Sequence, residues 1–150
     1  MHNTSEGKVL NLYITKDDIR KTKVSLQTAE IDSNGIIGDK FYAKDPDRSI
    51  LITSLDSYNL AKQNSINIDT GILGENILID INPYSLVAGD RLQIGSALLE
   101  ITQNCTLCKG LTTINSKLPK LLKNDRGIFA RVVKDKALIH TGDSVKILKN

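Results

Sequence analysis

The feature that most constrains the fold is a series of short, β-rich apolar runs separated by turn residues. Two of them, residues 91–94 and 97–102, flank the dipeptide Gly95-Ser96, whose length suits a two-residue hairpin turn. The other predicted strands are residues 9–15, 49–53, 76–81, 128–133 and 144–148. Many short strands with turns between them favour a closed or nearly closed barrel, so we predict a mainly β fold.

Helical signals are fewer. Ser54 and Asp56 are residue types that cap a helix N-terminus, and they predict a helix that runs to about Gln63. A second helical stretch is predicted between residues 111 and 122, interrupted by Pro119. The fold class is therefore a β-barrel with one or two short helices. Because the sequence has no internal repeat and no Pro/Gly-rich linker, we predict a single domain over residues 1–150.

The dipeptide Gly-Asp occurs at three places where a strand is about to begin. These are Gly38-Asp39, Gly89-Asp90 and Gly142-Asp143. Each predicts a tight turn in which Gly supplies a positive φ and Asp a local hydrogen bond from its side chain. We interpret the three pairs as architectural rather than catalytic.

Charge and targeting signals exclude several classes of partner. The formal net charge is +3, and the densest basic stretch, residues 117–123, holds three lysines. It is either a solvated face or a modest rim for an anionic ligand, and we expect no nucleic-acid partner because a concentrated basic stripe is missing. The sequence shows neither a signal peptide nor an apolar run of membrane-spanning length. We therefore expect a cytoplasmic protein without membrane partners or a structural disulfide.

The two cysteines form the motif Cys105-Thr106-Leu107-Cys108. A zinc site would need further ligands, and the usual candidates, His2 and His140, are isolated, so we expect no zinc. A thioredoxin-like redox pair would need a βαβ context that this sequence does not show. Two interpretations remain: two buried, inert thiols, or a reactive thiol in a polar loop beside Lys109, whose charge favours the thiolate.

Two glycine-rich segments carry polar residues with more than one interpretation. In residues 71–76, the two glycines allow close approach of the backbone to a ligand, and the same pattern also describes an ordinary capped turn. In residues 35–48, Lys40 and Arg48 follow a glycine turn. Arg48 directly precedes an apolar strand, where its guanidinium would either bind a phosphate or carboxylate or pair with Asp45 or Asp47.

Taken in order, these segments resemble the MOSC family, named for the C-terminal domain of molybdenum cofactor sulfurase. The resemblance runs from about residue 6 to the C-terminus and is closest to the short, stand-alone bacterial members. The residues that carry it are 35–40 (GIIGDK), 48–51 (RSIL), 71–76 (GILGEN), 89–95 (GDRLQIG), 99–103 (LEITQ), Cys108, 127–132 (GIFARV) and 142–145 (GDSV).

The resemblance implies a β-barrel in which Cys108 is the functional cysteine. In one role known for the family, this cysteine carries a persulfide that delivers sulfur to molybdenum cofactor, and in another its thiolate ligates molybdenum in a reductase of N-hydroxylated substrates. The protein is then a sulfur carrier or sulfurtransferase that delivers sulfur to molybdenum cofactor or a metal–sulfur centre, a molybdenum-dependent reductase, or a non-catalytic cofactor-binding module. The candidate residues for binding the anionic pterin phosphate are Lys40, Arg48, Asn76, Gln103 and Arg131.

The sequence departs from the family pattern at two positions. Short relatives often read Cys-His-x-x-Cys from the functional cysteine, whereas here the run is CKGLT from Cys108 to Thr112. Cys105 is not a recognised family feature, and it is either a resolving thiol or incidental. The sequence includes no desulfurase or ferredoxin module, so a cysteine desulfurase or an electron-donor protein is the expected partner.

Overall fold

The computed structural model describes residues 6–106 and 110–150. In that part of the chain there are eleven strands, three short α-helices and one 3-10 helix, at Pro46–Arg48. The strands are β1 Glu6–Thr15, β2 Lys23–Leu26, β3 Thr28–Asp32, β4 Gly35–Ile36, β5 Ile50–Ser54, β6 Ile77–Ile79, β7 Arg91–Ile94, β8 Ala97–Asn104, β9 Ile128–Val132, β10 Ala137–His140 and β11 Ser144–Leu148. The helices are α1 Leu55–Gln63, α2 Leu111–Ile114 and α3 Leu118–Leu121.

Seven of the strands close into a barrel. Their order is β1-β11-β7-β8-β9-β5-β6, and β6 pairs with β1 to complete the circle. Every pair is antiparallel except β5–β6, so the barrel is mixed. Strand β2 adds to the far end of β1, and β10, β3 and β4 form a separate three-stranded sheet. The predicted mainly β, closed barrel is confirmed.

The alternation of side chains along the strands divides the protein into an interior and an outer face. Ile50 and Ile52 of β5 are fully buried in the barrel interior, and Leu51 between them faces the other way. The interior is aliphatic, as a chain with few aromatic residues requires. A second apolar cluster lies outside the barrel, where Tyr58 and Ala61 of α1 pack with residues of α2 and α3.

The helix predictions hold with one correction. The Ser54 side chain accepts a hydrogen bond from the backbone N–H of Asp56 at 3.0 Å, so Ser54 is the N-cap of α1. The predicted second stretch is two separate helices, because Asn115 between them is extended. Pro119 does not interrupt a helix: it lies in the first turn of α3, where its missing N–H is tolerated.

The three Gly-Asp pairs are turns, as predicted, but only Gly89-Asp90 and Gly142-Asp143 directly precede a strand, whereas after Gly38-Asp39 the next strand, β5, begins at Ile50. The glycines have φ values of +94°, +98° and +88° at positions 38, 89 and 142. In each case a carboxylate oxygen accepts a backbone N–H, from Thr15 to Asp39, from Val87 to Asp90 and from His140 to Asp143. Asp39 therefore ties its turn to the end of β1, whereas Asp90 and Asp143 each close a turn on the residue three positions earlier.

Four strands were not predicted: β2, β3, β4 and β10. They are short, between two and five residues, and β3, for example, alternates exposed and buried residues. In the described residues, no helix has the length and apolar character needed to cross a membrane.

Candidate functional site

A cavity of about 570 Å³ lies against the outer face of the barrel wall. It lies beside β5 and β9 and is bordered by the segments that enter or leave them. Its described lining residues are Lys40, Phe41, Lys44, Asp45, Arg48, Leu51, Gly74, Asn76, Cys105, Arg126 and Phe129.

The floor of the cavity follows from strand alternation. Leu51 of β5 and Phe129 of β9 are directly paired across the two strands. Their neighbours in sequence, such as Ile52 and Ile128, point into the barrel, so Leu51 and Phe129 point out of it. The barrel core thus fixes which apolar side chains face the cavity.

Lys40 and Phe41 reach the cavity from a turn anchored to the end of β1. The carboxylate of Asp39 is buried and accepts backbone N–H groups from Thr15 at 2.8 Å and from Phe41 at 3.2 Å. The Lys40 N–H donates to the carbonyl of Thr15 at 2.7 Å. The Lys40 ammonium lies 4.9 Å from the centroid of the Phe41 ring, within cation–π range.

Arg48 enters from the last turn of the 3-10 helix. The Asp45 carboxylate caps that helix by accepting the Asp47 N–H at 3.1 Å. The Arg48 guanidinium stacks on the Phe129 ring, 4.9 Å from its centroid. Among the ion pairs of the described residues, none joins Arg48 to Asp45 or Asp47. Arg48 therefore lines the cavity without the predicted ion pair, and its binding of a phosphate or carboxylate stays a prediction.

Arg126 is a cavity residue that the sequence analysis missed. Its Nε and Nη2 donate to the carbonyl of Leu73 at 3.2 and 3.1 Å. Its own carbonyl accepts from the Thr53 hydroxyl at 2.8 Å, which ties the turn before β9 to β5. A signal was available, since Arg126, like Arg48, directly precedes an apolar strand.

Asn76 lines the cavity, but its side chain bonds to the protein backbone. Its Oδ1 accepts from the Leu51 N–H at 2.9 Å, and its Nδ2 donates to the Tyr13 carbonyl at 3.2 Å. The Asn76 backbone also bonds to the same two residues, each at 2.8 Å. Asn76 therefore joins β1 to β5 at the point where β6 is about to begin. Its predicted contact with a phosphate remains a prediction.

The predicted cysteine centre is only partly described. Cys105 is buried, lines the cavity and donates its backbone N–H to Gly127 at 3.0 Å. Cys108 and Lys109 lie outside the described residues, so the predicted catalytic thiol and molybdenum ligand have no described position. Gln103 is exposed on β8 and does not line the cavity.

Arg131 is not among the cavity residues. Its Nε and Nη2 donate to Oε2 of Glu100 at 3.1 and 2.6 Å, and Arg91 Nε donates to the other carboxylate oxygen at 3.2 Å. Strand β9 thus presents Phe129 to the cavity and Arg131 to Glu100 on β8. The hydrogen bond from Arg131 is the main reason that the pKa of Glu100 lies below its ordinary value of 4.5.

We expect Arg131→Ala to change acid stability without changing ligand binding in the cavity. Because the folded-state pKa of Glu100 is lowered, its contribution is present above about pH 4.5 and is lost as the pH falls through the folded value. Urea unfolding at pH 7 and at pH 3.5 checks this, with a smaller difference between the two pH values in the variant. An unchanged difference would contradict the assignment of that pair.

The donor set of the cavity suits an anionic ligand. Four cationic side chains line it, from Lys40, Lys44, Arg48 and Arg126, while Asp45 supplies the one carboxylate among its described residues. Its volume is within the range of small-molecule sites, and guanidinium groups bind phosphate through paired hydrogen bonds. The described residues include no group of three or more His, Cys, Asp or Glu side chains able to hold a metal ion.

Comparisons with known proteins agree with the barrel. The MOSC domain family matches residues 38–146. No curated protein matches the chain in sequence. Similar solved structures include the YuaD protein of Bacillus subtilis, with 21% identity, a TM-score of 0.82 and 97% of each chain covered.

Two YiiM proteins are also similar in structure. YiiM of Geobacillus stearothermophilus has 16% identity and a TM-score of 0.73, with 95% of this chain and 75% of that chain covered. YiiM of Escherichia coli has 18% identity and a TM-score of 0.71, with 97% and 70% covered. At these identities the structural likeness establishes the fold alone.

Proposed function

The chain belongs to the MOSC domain family, and from that premise we propose that it binds molybdenum cofactor in the cation-lined cavity and delivers sulfur to it from Cys108. The observation that carries the proposal is the convergence of Lys40, Arg48 and Arg126 on one cavity beside Cys105. Cys105 precedes Cys108 by three residues. The cytoplasm, where thiols stay reduced, is the proposed compartment.

The binding half of the proposal rests on the cavity's charged donors and its aromatic floor. Lys40, Lys44, Arg48 and Arg126 supply charge-assisted hydrogen bonds to a phosphate. Phe129 and Phe41 supply flat apolar surface for a ring system. When bound, molybdenum cofactor supplies a thiophilic metal to which sulfur can be passed.

The sulfur half of the proposal is a transfer between thiols. The Cys108 thiolate attacks the terminal sulfur of a persulfide on a cysteine desulfurase. A new sulfur–sulfur bond forms on Cys108, the donor's sulfur–sulfur bond breaks, and the desulfurase cysteine leaves as a thiolate. This loading step conserves electrons and needs no external oxidant. Release of that sulfur as sulfide would take two electrons, which a second thiol would supply by forming a disulfide with Cys108.

Incubation with a cysteine desulfurase and cysteine is expected to add one sulfur atom to the protein. Intact mass spectrometry measures the gain, and alkylation followed by peptide mapping locates it on Cys108. Cys108→Ser should gain nothing, whereas Cys105→Ser, the matched control, should gain sulfur as the wild type does. A gain that survives in Cys108→Ser would overturn the assignment.

The competing activity is a molybdenum-dependent reductase. Metal analysis tests for it, with protein made in a host that produces the cofactor. Stably bound molybdenum together with turnover of an N-hydroxylated substrate, and no persulfide on Cys108, would replace the proposal with a reductase. Cofactor binding that is unchanged in Cys108→Ala, with no sulfur transfer and no turnover, would leave a binding module.

A further inference from the structure

Glu75 is an acidic side chain in an unusual place. It is 1% exposed, and its Oε1 is buried without a hydrogen-bond partner among the described residues. A buried carboxylate with an unsatisfied oxygen lowers stability, so its presence calls for an explanation. Glu75 does not line the cavity, whereas the neighbouring residues Gly74 and Asn76 do.

The other oxygen of Glu75 holds the backbone of the turn formed by residues 71–74. Oε2 accepts from the Gly71 N–H at 2.9 Å and from the Tyr58 hydroxyl at 2.6 Å. That hydroxyl in turn accepts from the N–H groups of Gly71 at 2.9 Å and Leu73 at 3.3 Å. Burial raises the pKa of Tyr58, which keeps its phenol protonated and able to donate. Glu75 and Tyr58 thus bind two of the four amide donors of the turn, those of Gly71 and Leu73.

The carbonyls of the same turn bind cations. The Leu73 carbonyl accepts both Nε and Nη2 of Arg126, and the Gly71 carbonyl accepts the ammonium of Lys23. The two glycines reach φ values of +93° and +91°, which lets amides and carbonyls face these different partners. Close approach of the backbone to a ligand is one of the two roles predicted for these glycines. In the structure, two carbonyls of this turn face cationic side chains of the protein.

We propose that Glu75 is a positioning residue, which acts through the turn of residues 71–74 to hold the Arg126 guanidinium in the cavity wall. The carboxylate binds the turn from the inside, and the turn presents the Leu73 carbonyl that orients Arg126. Hydrogen bonds to a charged acceptor are stronger than those to a neutral one, so the carboxylate fixes the Gly71 N–H and the Tyr58 hydroxyl, and with them the turn, more firmly than a neutral side chain would. The inference deepens the proposed function, since it rests on Arg126 binding an anionic ligand.

A double-mutant cycle with inorganic pyrophosphate as the probe tests this coupling. Titration calorimetry compares wild type, Glu75→Gln, Arg126→Ala and the double variant. Glutamine keeps the shape of the side chain and an oxygen acceptor but removes the charge. We expect Glu75→Gln to weaken binding by about threefold to tenfold in the wild type and to have no effect when Arg126 is alanine. An equal loss in both backgrounds would overturn the proposal, because a merely structural role does not depend on Arg126.

A second variant tests the same coupling in case Glu75→Gln does not fold, and a second measurement tests it without any bound ligand. Tyr58→Phe removes the hydroxyl that collects Gly71 and Leu73, and it should reproduce the same Arg126-dependent loss. The Nε–H resonance of Arg126 reports its order without any ligand: in either variant it should broaden or exchange faster with solvent, while that of Arg131 stays unchanged. If wild type did not bind pyrophosphate, the proposed function would fall, and an unchanged Arg126 resonance would separately overturn the positioning role.

Discussion

Replacing Arg48 with alanine is expected to weaken the binding of a phosphate-bearing ligand by about 10- to 100-fold. Loss of one charge-assisted hydrogen bond to the ligand costs about 1.5–3 kcal/mol of binding free energy, which corresponds to this change in affinity. The Arg48 guanidinium stacks on Phe129 of the cavity floor at 4.9 Å from the ring centroid, whereas the Lys40 ammonium lies over Phe41. Titration with inorganic pyrophosphate, and with cofactor where it is available, measures the loss.

Two further variants serve as controls for the loss of affinity in Arg48→Ala. Arg131→Ala removes the same residue type from the same barrel wall, at a position bound to Glu100, and should leave affinity unchanged. Arg48→Lys keeps the charge but loses the planar fork and the stacking, so its affinity should lie between those of wild type and Arg48→Ala. Equal losses in Arg48→Ala and Arg131→Ala would contradict the assignment of the cavity as the anion site.

Replacing Asn76 with alanine is expected to lower the free energy of unfolding by about 2–4 kcal/mol. The substitution leaves the Leu51 N–H and the Tyr13 carbonyl without their side-chain partners, and all three residues are buried. It should also open the cavity edge, because Asn76 joins β1 to β5 there. Urea unfolding measures the loss.

Asn64→Ala is the matched control for that experiment. Asn64 also makes a side-chain hydrogen bond to a backbone carbonyl, that of Leu60 at 2.9 Å, but the bond is exposed. Water replaces an exposed partner, so the expected loss is below about 0.5 kcal/mol. If the two substitutions lowered stability equally, the bridging role of Asn76 would be wrong.

Local pattern was enough to predict the strands that build most of the barrel. Strands β7 and β11 have the predicted bounds, and β5 and β9 differ by one or two residues. Their apolar side chains recur on one face because the barrel interior requires it. Strands β3 and β10 escaped prediction because their pairing, Thr28 opposite His140, joins segments far apart in the chain. Strand β3 has two apolar residues in five, and β10, although three of its four residues are apolar, buries only Ile139, so neither local sequence reveals its partner.

The sequence was enough to predict which residue types form the site, but not which group each side chain binds. Lys40 and Arg48 were recognised as cations that follow a glycine turn, and both line the cavity. Arg131 was chosen on the same chemistry, yet Glu100 on the neighbouring strand takes its guanidinium, which no local pattern in β9 reveals. Arg126 was missed although it precedes β9 as Arg48 precedes β5. Tertiary structure decides whether such a side chain binds another protein group or faces a ligand site.

The pairing of β1 with β11 has a consequence for how the chain folds. Residues 6–8 lie opposite residues 144–146, so the seam of the barrel joins segments nearly the whole described length apart. Such a contact carries a large loop-closure entropy and is typical of slow-folding topologies. During synthesis β1 can pair with β2 and β6 while its third partner has not yet been translated. The nascent barrel must therefore remain open, with an unpaired strand edge and an accessible aliphatic interior, until β11 emerges.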